Sequence, residues 1–168
     1  MNLSPAHLHL ILNHIPILGT LLFAPLVLIW GLVRRSRDVT ITGLLLAVIL
    51  AVSAIPIYLT GEPAEEQLEN QPWFDKDRAH THEEQAEAGL IAVLVTGGVA
   101  LVALWLSRGA RRAPGALTGL VLVGLLVSAV LFSIAALTGG QIRHEEVRPG
   151  GTAALGPGGP AAGGAPAG

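Results

Sequence analysis

The sequence predicts an all-α integral membrane protein: an up-down four-helix bundle over residues 1–147, then a disordered Gly/Pro/Ala tail over 148–168. Three observations carry this prediction. The chain is 51% hydrophobic and only 13% charged, with a mean hydropathy of +0.60, values that place it with membrane proteins. Its apolar residues gather in four runs, roughly 8–33, 39–60, 88–107 and 116–138, each near the ~20 residues that cross a hydrocarbon core. Its charges segregate by connection. Arg34, Arg35, Arg37, Arg108, Arg111 and Arg112 follow the first and third runs with Asp38 alone against them, and every other acidic residue falls on the opposite side.

Short arginine-rich loops stay cytoplasmic. The N-terminus, the 61–87 connection and the C-terminal tail are therefore expected on the periplasmic side of a bacterial inner membrane. All six histidines then share that outer side. The first run is too long for a signal-peptide core and carries its arginines after the run instead of before it, so it reads as a retained span. Cysteine is absent, which removes disulfides, thiolate metal sites, iron–sulfur clusters and thioether-attached haem.

Each element has a local reason. Ser4-Pro5 opens the first helix, with Ser as N-cap and Pro at the first helical position. Pro16 and Pro25 each delete a backbone donor and are expected to kink this span, and Pro56 does the same near the outer end of the second. Gly61 and Pro63 are expected to end span 2, and "AEEQLEN" reads as a short interfacial helix. Trp73 and Phe74 read as interface anchors. Small residues mark the packing faces, because membrane helices approach closely only where side chains are small. On span 2 the line is Gly43, Ala47, Ala51 and Ala54; on span 3 it is Ala86, Gly89, Val93, Thr96 and Ala100. Span 4 offers Gly124, Ser128, Ala135 and Gly139, and span 1 offers His9, Asn13, Pro16, Thr20, Ala24 and Gly31.

The chemistry gathers at the histidines. "HLHLILNHIPILG" places His7 and His9 at headgroup depth and His14 at the edge of the hydrocarbon core, where an ionisable group is costly and usually functional. His82 heads the small-residue face of span 3, and His80 precedes that face. His144 follows Gly139-Gly140 at the end of span 4, with Arg143 beside it. Imidazole is the commonest nitrogen ligand for metals and haem iron, and histidines on different helices of a bundle build interior sites. No Glu-x-x-His pair recurs on two helices, which disfavours a ferritin-like di-iron site. The sequence holds no catalytic Ser/His/Asp order, no phosphate-binding glycine loop and no basic patch suited to nucleic acid.

The motifs "HLHLILNHIPILG", "YLTGEPAEE", "HEEQAE" and "GGQIRHEE", in this order around four spans, resemble a family of small four-span bacterial membrane proteins. The resemblance covers most of residues 3–147. It implies matching positions at His9, His14, Glu62, His82 and His144 and a b-type-cytochrome-like character, and it carries no established activity.

The expected function is a membrane-anchored haem protein with one or two b-type haems (heme b) near the outer leaflet. It would pass electrons between a membrane quinol or neighbouring subunit and a periplasmic acceptor. Axial ligands are expected from His9, His14, His82 and His144. Arg78 and Arg143 are the candidates for haem propionates, and Glu62 for a hydrogen bond that orients a ligand imidazole. A second reading is a non-haem metal-binding or metal-transport protein in which the same histidines join Glu62, Glu83 and Glu87. A third is a structural subunit of a larger respiratory complex.

Overall fold

The computed structural model describes residues 4–109, 112–144 and Arg148; most of the expected tail lies outside them. Four helices are long and apolar enough to cross a membrane. The first span is assembled from α1 (Pro5–Leu12), α2 (His14–Leu18), a π-helical turn (Gly19–Phe23) and α3 (Ala24–Val33). The others are α4 (Arg37–Leu59), followed at once by the short α5 (Gly61–Leu68), then α6 (Lys76–Leu106) and α7 (Gly115–Arg143).

The breaks in the first span follow its prolines. Pro16 cannot donate to the carbonyl four residues earlier, and a π-helical turn begins three residues later, at Gly19. Pro25 then sits at the second position of α3, directly after that turn. The expected stop at Gly61 and Pro63 takes a different form. After a turn at Thr60 the chain re-enters a helix at Gly61, and Pro63 falls in its first turn. The Gln67 side-chain oxygen accepts the Ala6 N–H at 3.2 Å, so α5 satisfies a backbone donor left open at the start of α1.

The first span packs on α4 and α7, and α6 packs on the same two helices. The first span and α6 therefore face each other diagonally. Small residues set how closely the helices approach. The Leu28 side chain lies on Gly43, Phe132 on Gly89, Thr96 on Gly124 and the Ala51 methyl on Gly97. The expected small-residue faces on α4 and α6 are buried apart from the half-buried Ala86. Fully buried Leu28, Leu44, Val121 and Leu125 form the core of the half that carries the arginine-rich connections.

Both ends are clasped. At the arginine end, Arg37 donates to the Ser107 and Gly109 carbonyls and so caps the end of α6. At the histidine end, Asp75 N-caps α6 and pairs with Arg78 at 3.2 Å and Arg148 at 3.7 Å.

Candidate functional site

Helix α1 begins where its sequence allows. Ser4 accepts the His7 N–H, Pro5 occupies the first turn, and the helix sets His9 on the side that faces the bundle. Helix α6 begins at Lys76 behind its Asp75 N-cap, well before the apolar run, and this early start places His82 on the same face as Ala79, Gly89 and Val93. The two imidazoles meet across the diagonal of the bundle with ring centroids 6.4 Å apart and planes at 90°.

The proton on each ring follows from its partner. His82 Nδ1 lies 2.7 Å from the Ala135 carbonyl. A carbonyl only accepts, so Nδ1 carries the proton and the neutral ring keeps a lone pair on Nε2. His9 Nδ1 lies 2.9 Å from Thr60 Oγ1. The Thr60 hydroxyl donates its own proton to the Ile57 carbonyl at 2.6 Å, so it accepts from His9. In its neutral form each ring is therefore held in the tautomer that presents Nε2 as an acceptor.

The backbone makes room for these rings. A methyl group at Gly139 would sit 3.0 Å from His82 Cε1, tighter than ordinary contact, whereas one at Gly61 would lie 3.8 Å from His9 Cε1. A side chain at Gly139 would thus need the His82 ring to shift by a few tenths of an ångström, and Gly61 is merely adjacent to His9.

One turn further into the bundle lie two amides. Asn13 follows His9 by four residues and Gln85 follows His82 by three, so each shares its histidine's face. Among the described residues, Asn13 Oδ1 and Gln85 Oε1 are the buried side-chain polar atoms without a hydrogen-bond partner. Each unsatisfied acceptor costs roughly 1–3 kcal/mol if nothing fills it.

The remaining expected residues sit elsewhere. His14 points outward and is exposed, with Nδ1 donating to the Leu10 carbonyl at 2.8 Å. It borders an open apolar recess of about 300 Å³ with Ile15, Leu18, Gly19, Phe23 and Leu50. His144 is exposed at the end of α7. His80 is exposed and lies 3.5 Å from Glu84. Glu62 is exposed, and the group that orients His9 is Thr60. Arg78 is engaged by Asp75 and by Gln141 Oε1 at 2.7 Å, and the Arg143 guanidinium stacks on Trp73 at 4.6 Å. Among the described residues no group of three or more His, Asp or Glu converges on one point. The structure brings together His9 and His82, and among the described residues no third such side chain joins them.

Thr60, Gln85 and the Ala135 carbonyl were not singled out from the sequence. A hydroxyl at the end of an apolar run and an amide one turn past a histidine are weak signals until the partner helix is in place.

The donor set suits an imidazole-binding metal, haem iron included. Space is a separate matter. The His82 ring lies close over Gly139 and the His9 ring in ordinary contact with Gly61, and open recesses lie beside His14 and beside Trp73. No protein-family model, no curated protein and no solved structure matches this chain.

Proposed function

We propose that the histidine end of the bundle is a bis-imidazole metal centre, through which the protein carries electrons at the periplasmic face of a bacterial inner membrane. One observation supports this reading. Two imidazoles on diagonally opposed helices each commit Nδ1 to a protein acceptor and keep the Nε2 lone pair. Metal-ligating histidines are held in this way, because the second hydrogen bond fixes the ring and raises its basicity. The separation is also apt. Two imidazoles on opposite sides of one ion, with metal–nitrogen bonds of about 2.0–2.1 Å, place their ring centroids roughly 6 Å apart.

In its first form the centre would be b-type haem, held by His9 and His82. Such a group supplies one-electron chemistry at a potential tuned by its ligands and burial. The chain's own part is to hold both rings from rigid helices and to restrict water with α5, which lies over α1. A membrane quinol or a neighbouring subunit would be the electron source, and the acceptor would meet the acidic outer surface. In its second form the centre is a bare transition ion. The two unpartnered amide oxygens favour that form.

Purified protein tests both. Haem gives a Soret band, and a bare ion gives stoichiometric metal in elemental analysis without one. A preparation with neither, after haem and metal supplementation during growth, overturns the reading and leaves the histidines as structural hydrogen-bonding groups.

A further inference from the structure

We propose that Asn13 and Gln85 complete a four-donor site with His9 and His82 for a single imidazole-preferring transition ion, copper foremost. The inference rests on the bare-ion form of the metal centre and goes beyond it by naming the remaining ligands and the metal class.

The argument starts from what the layer lacks. Two Nε2 lone pairs and two amide oxygens are all acceptors in the neutral protein. The nearby hydroxyl protons are already used: Thr60 donates to the Ile57 carbonyl, Ser53 to that of Leu50 and Thr20 to that of Pro16. The N–H groups of the two amides are the donors that remain, and none of them reaches either amide oxygen, so a cation would complement these acceptors. A buried polar group left unpartnered in a folded protein calls for such an explanation.

The layer is closed below. Ile17 follows Asn13 by one turn and Gly89 follows Gln85 by one turn, and the Phe132 ring lies on Gly89. Ile17, Phe132, Val93, Ala51 and Ala54 form one apolar cluster there. An ion admitted from the histidine end meets an apolar floor, so the layer is a binding site and not a path.

The ligand types select the metal. Calcium and magnesium demand six or more oxygens, commonly anionic, and the layer offers two neutral ones. Thiolates are absent from the chain. Imidazole with amide oxygen suits copper, nickel and zinc, and copper heads the affinity order at nitrogen and oxygen sites.

The test uses the full chain in detergent micelles, stripped with a chelator and then titrated with copper or zinc salts alone. Bound metal is counted after desalting, and copper(II) is read by paramagnetic resonance. The expected result is one copper per chain with two imidazole nitrogens coupled to it. His9→Ala and His82→Ala should each lose the copper. Asn13→Leu with Gln85→Leu should weaken binding at least tenfold while the copper-free protein melts no lower, because its orphaned acceptors are gone. Gln85→Glu, which places an anionic oxygen at the same position, should tighten binding. Copper lost in the histidine variants but indifferent to all changes at Asn13 and Gln85 overturns this inference and leaves the bis-imidazole centre standing. Haem without a bare ion does the same. A wild-type chain that takes up neither copper, zinc nor haem overturns both.

Discussion

Hydroxyls turn back on their own helices in both halves of this bundle and the Arg37 clasp crosses helices at the arginine end, but the two halves differ in their interior polar groups. In the arginine-end half, hydroxyls turn back on their own helices. Thr96 donates to the Ala92 carbonyl at 2.7 Å, Ser128 to Gly124 at 2.8 Å and Thr118 to Pro114 at 3.1 Å. Each bond closes within one turn, so these side chains pack like small apolar residues. In the histidine-end half, polar groups reach across helices: His9 to Thr60, His82 to Ala135 and Arg78 to Gln141. There too lie Asn13 Oδ1 and Gln85 Oε1 without partners. Helical regularity divides in the same way. The first span is interrupted at Asn13 and Gly19, while α3 runs unbroken from Ala24 to Val33. Self-satisfied polarity is packing. Polarity held in place by other helices, with acceptors left over, marks a site.

The largest expected effect lies at the histidine pair. His9→Ala or His82→Ala should abolish the bound metal or haem and leave insertion and expression intact, measured by absorbance and elemental analysis. His14→Ala and His80→Ala should retain it, since both side chains point away from the pair. Loss in His14→Ala would move the site to the recess beside α2.

Thr60→Val removes the acceptor that fixes the His9 ring but keeps the volume. Loss of such an orienting partner typically costs 10–100-fold in metal affinity, and metal titration should show a drop of that order. Unchanged affinity would mean that His9 does not depend on its tautomer.

The other half is probed by adjacent glycines. At Gly97 a side chain would collide with the Ala51 methyl, whereas at Gly98 nothing lies within 4 Å. Gly97→Leu should destabilise the bundle by roughly 1–3 kcal/mol through overpacking. Gly98→Ala should be neutral or slightly stabilising, because glycine inside a helix costs roughly 0.5–1 kcal/mol relative to alanine. Thermal melts in detergent read both, and equal effects would dissolve the distinction between buried and open glycines.

The smallest effect is expected at Thr96. Thr96→Val trades an own-helix hydrogen bond for a methyl of similar shape. It should change the melting temperature little and metal content not at all. A loss of metal in this variant would show that the two halves communicate.

Much of this was legible in the sequence because membrane helices obey few rules. Backbone pairing forces helices, hydrocarbon thickness sets their length, and close approach selects small residues. The lines through Gly43, Ala47, Ala51 and Ala54 on α4, and through Pro16, Thr20, Ala24 and Gly31 on the first span, are buried as the helical period required. His82 was legible as inward-facing because it lies four and seven residues before Ala86 and Gly89 on one helix face. The form of the turn after span 2 was less legible. Pro63 stops a helix in its interior but opens one in its first turn, and residue type alone does not say which applies.

The sequence by itself determined four spans, their small-residue faces and the gathering of histidines toward one end, since each follows from composition and period along a single chain. Tertiary structure decided which histidines meet. His9 and His14 lie five residues apart, nearly a turn and a half, so one helix shows them on different faces without saying which face meets a partner. The diagonal placement of the first span and α6 resolved this by setting His9 against His82 and leaving His14 exposed. Long-range packing likewise brought Thr60 to one ring and the Ala135 carbonyl to the other, fixing both tautomers. It also left the side-chain oxygens of Asn13 and Gln85 buried without a hydrogen-bond partner. An unpartnered acceptor is a relation between helices, and no property of a single helix contains it.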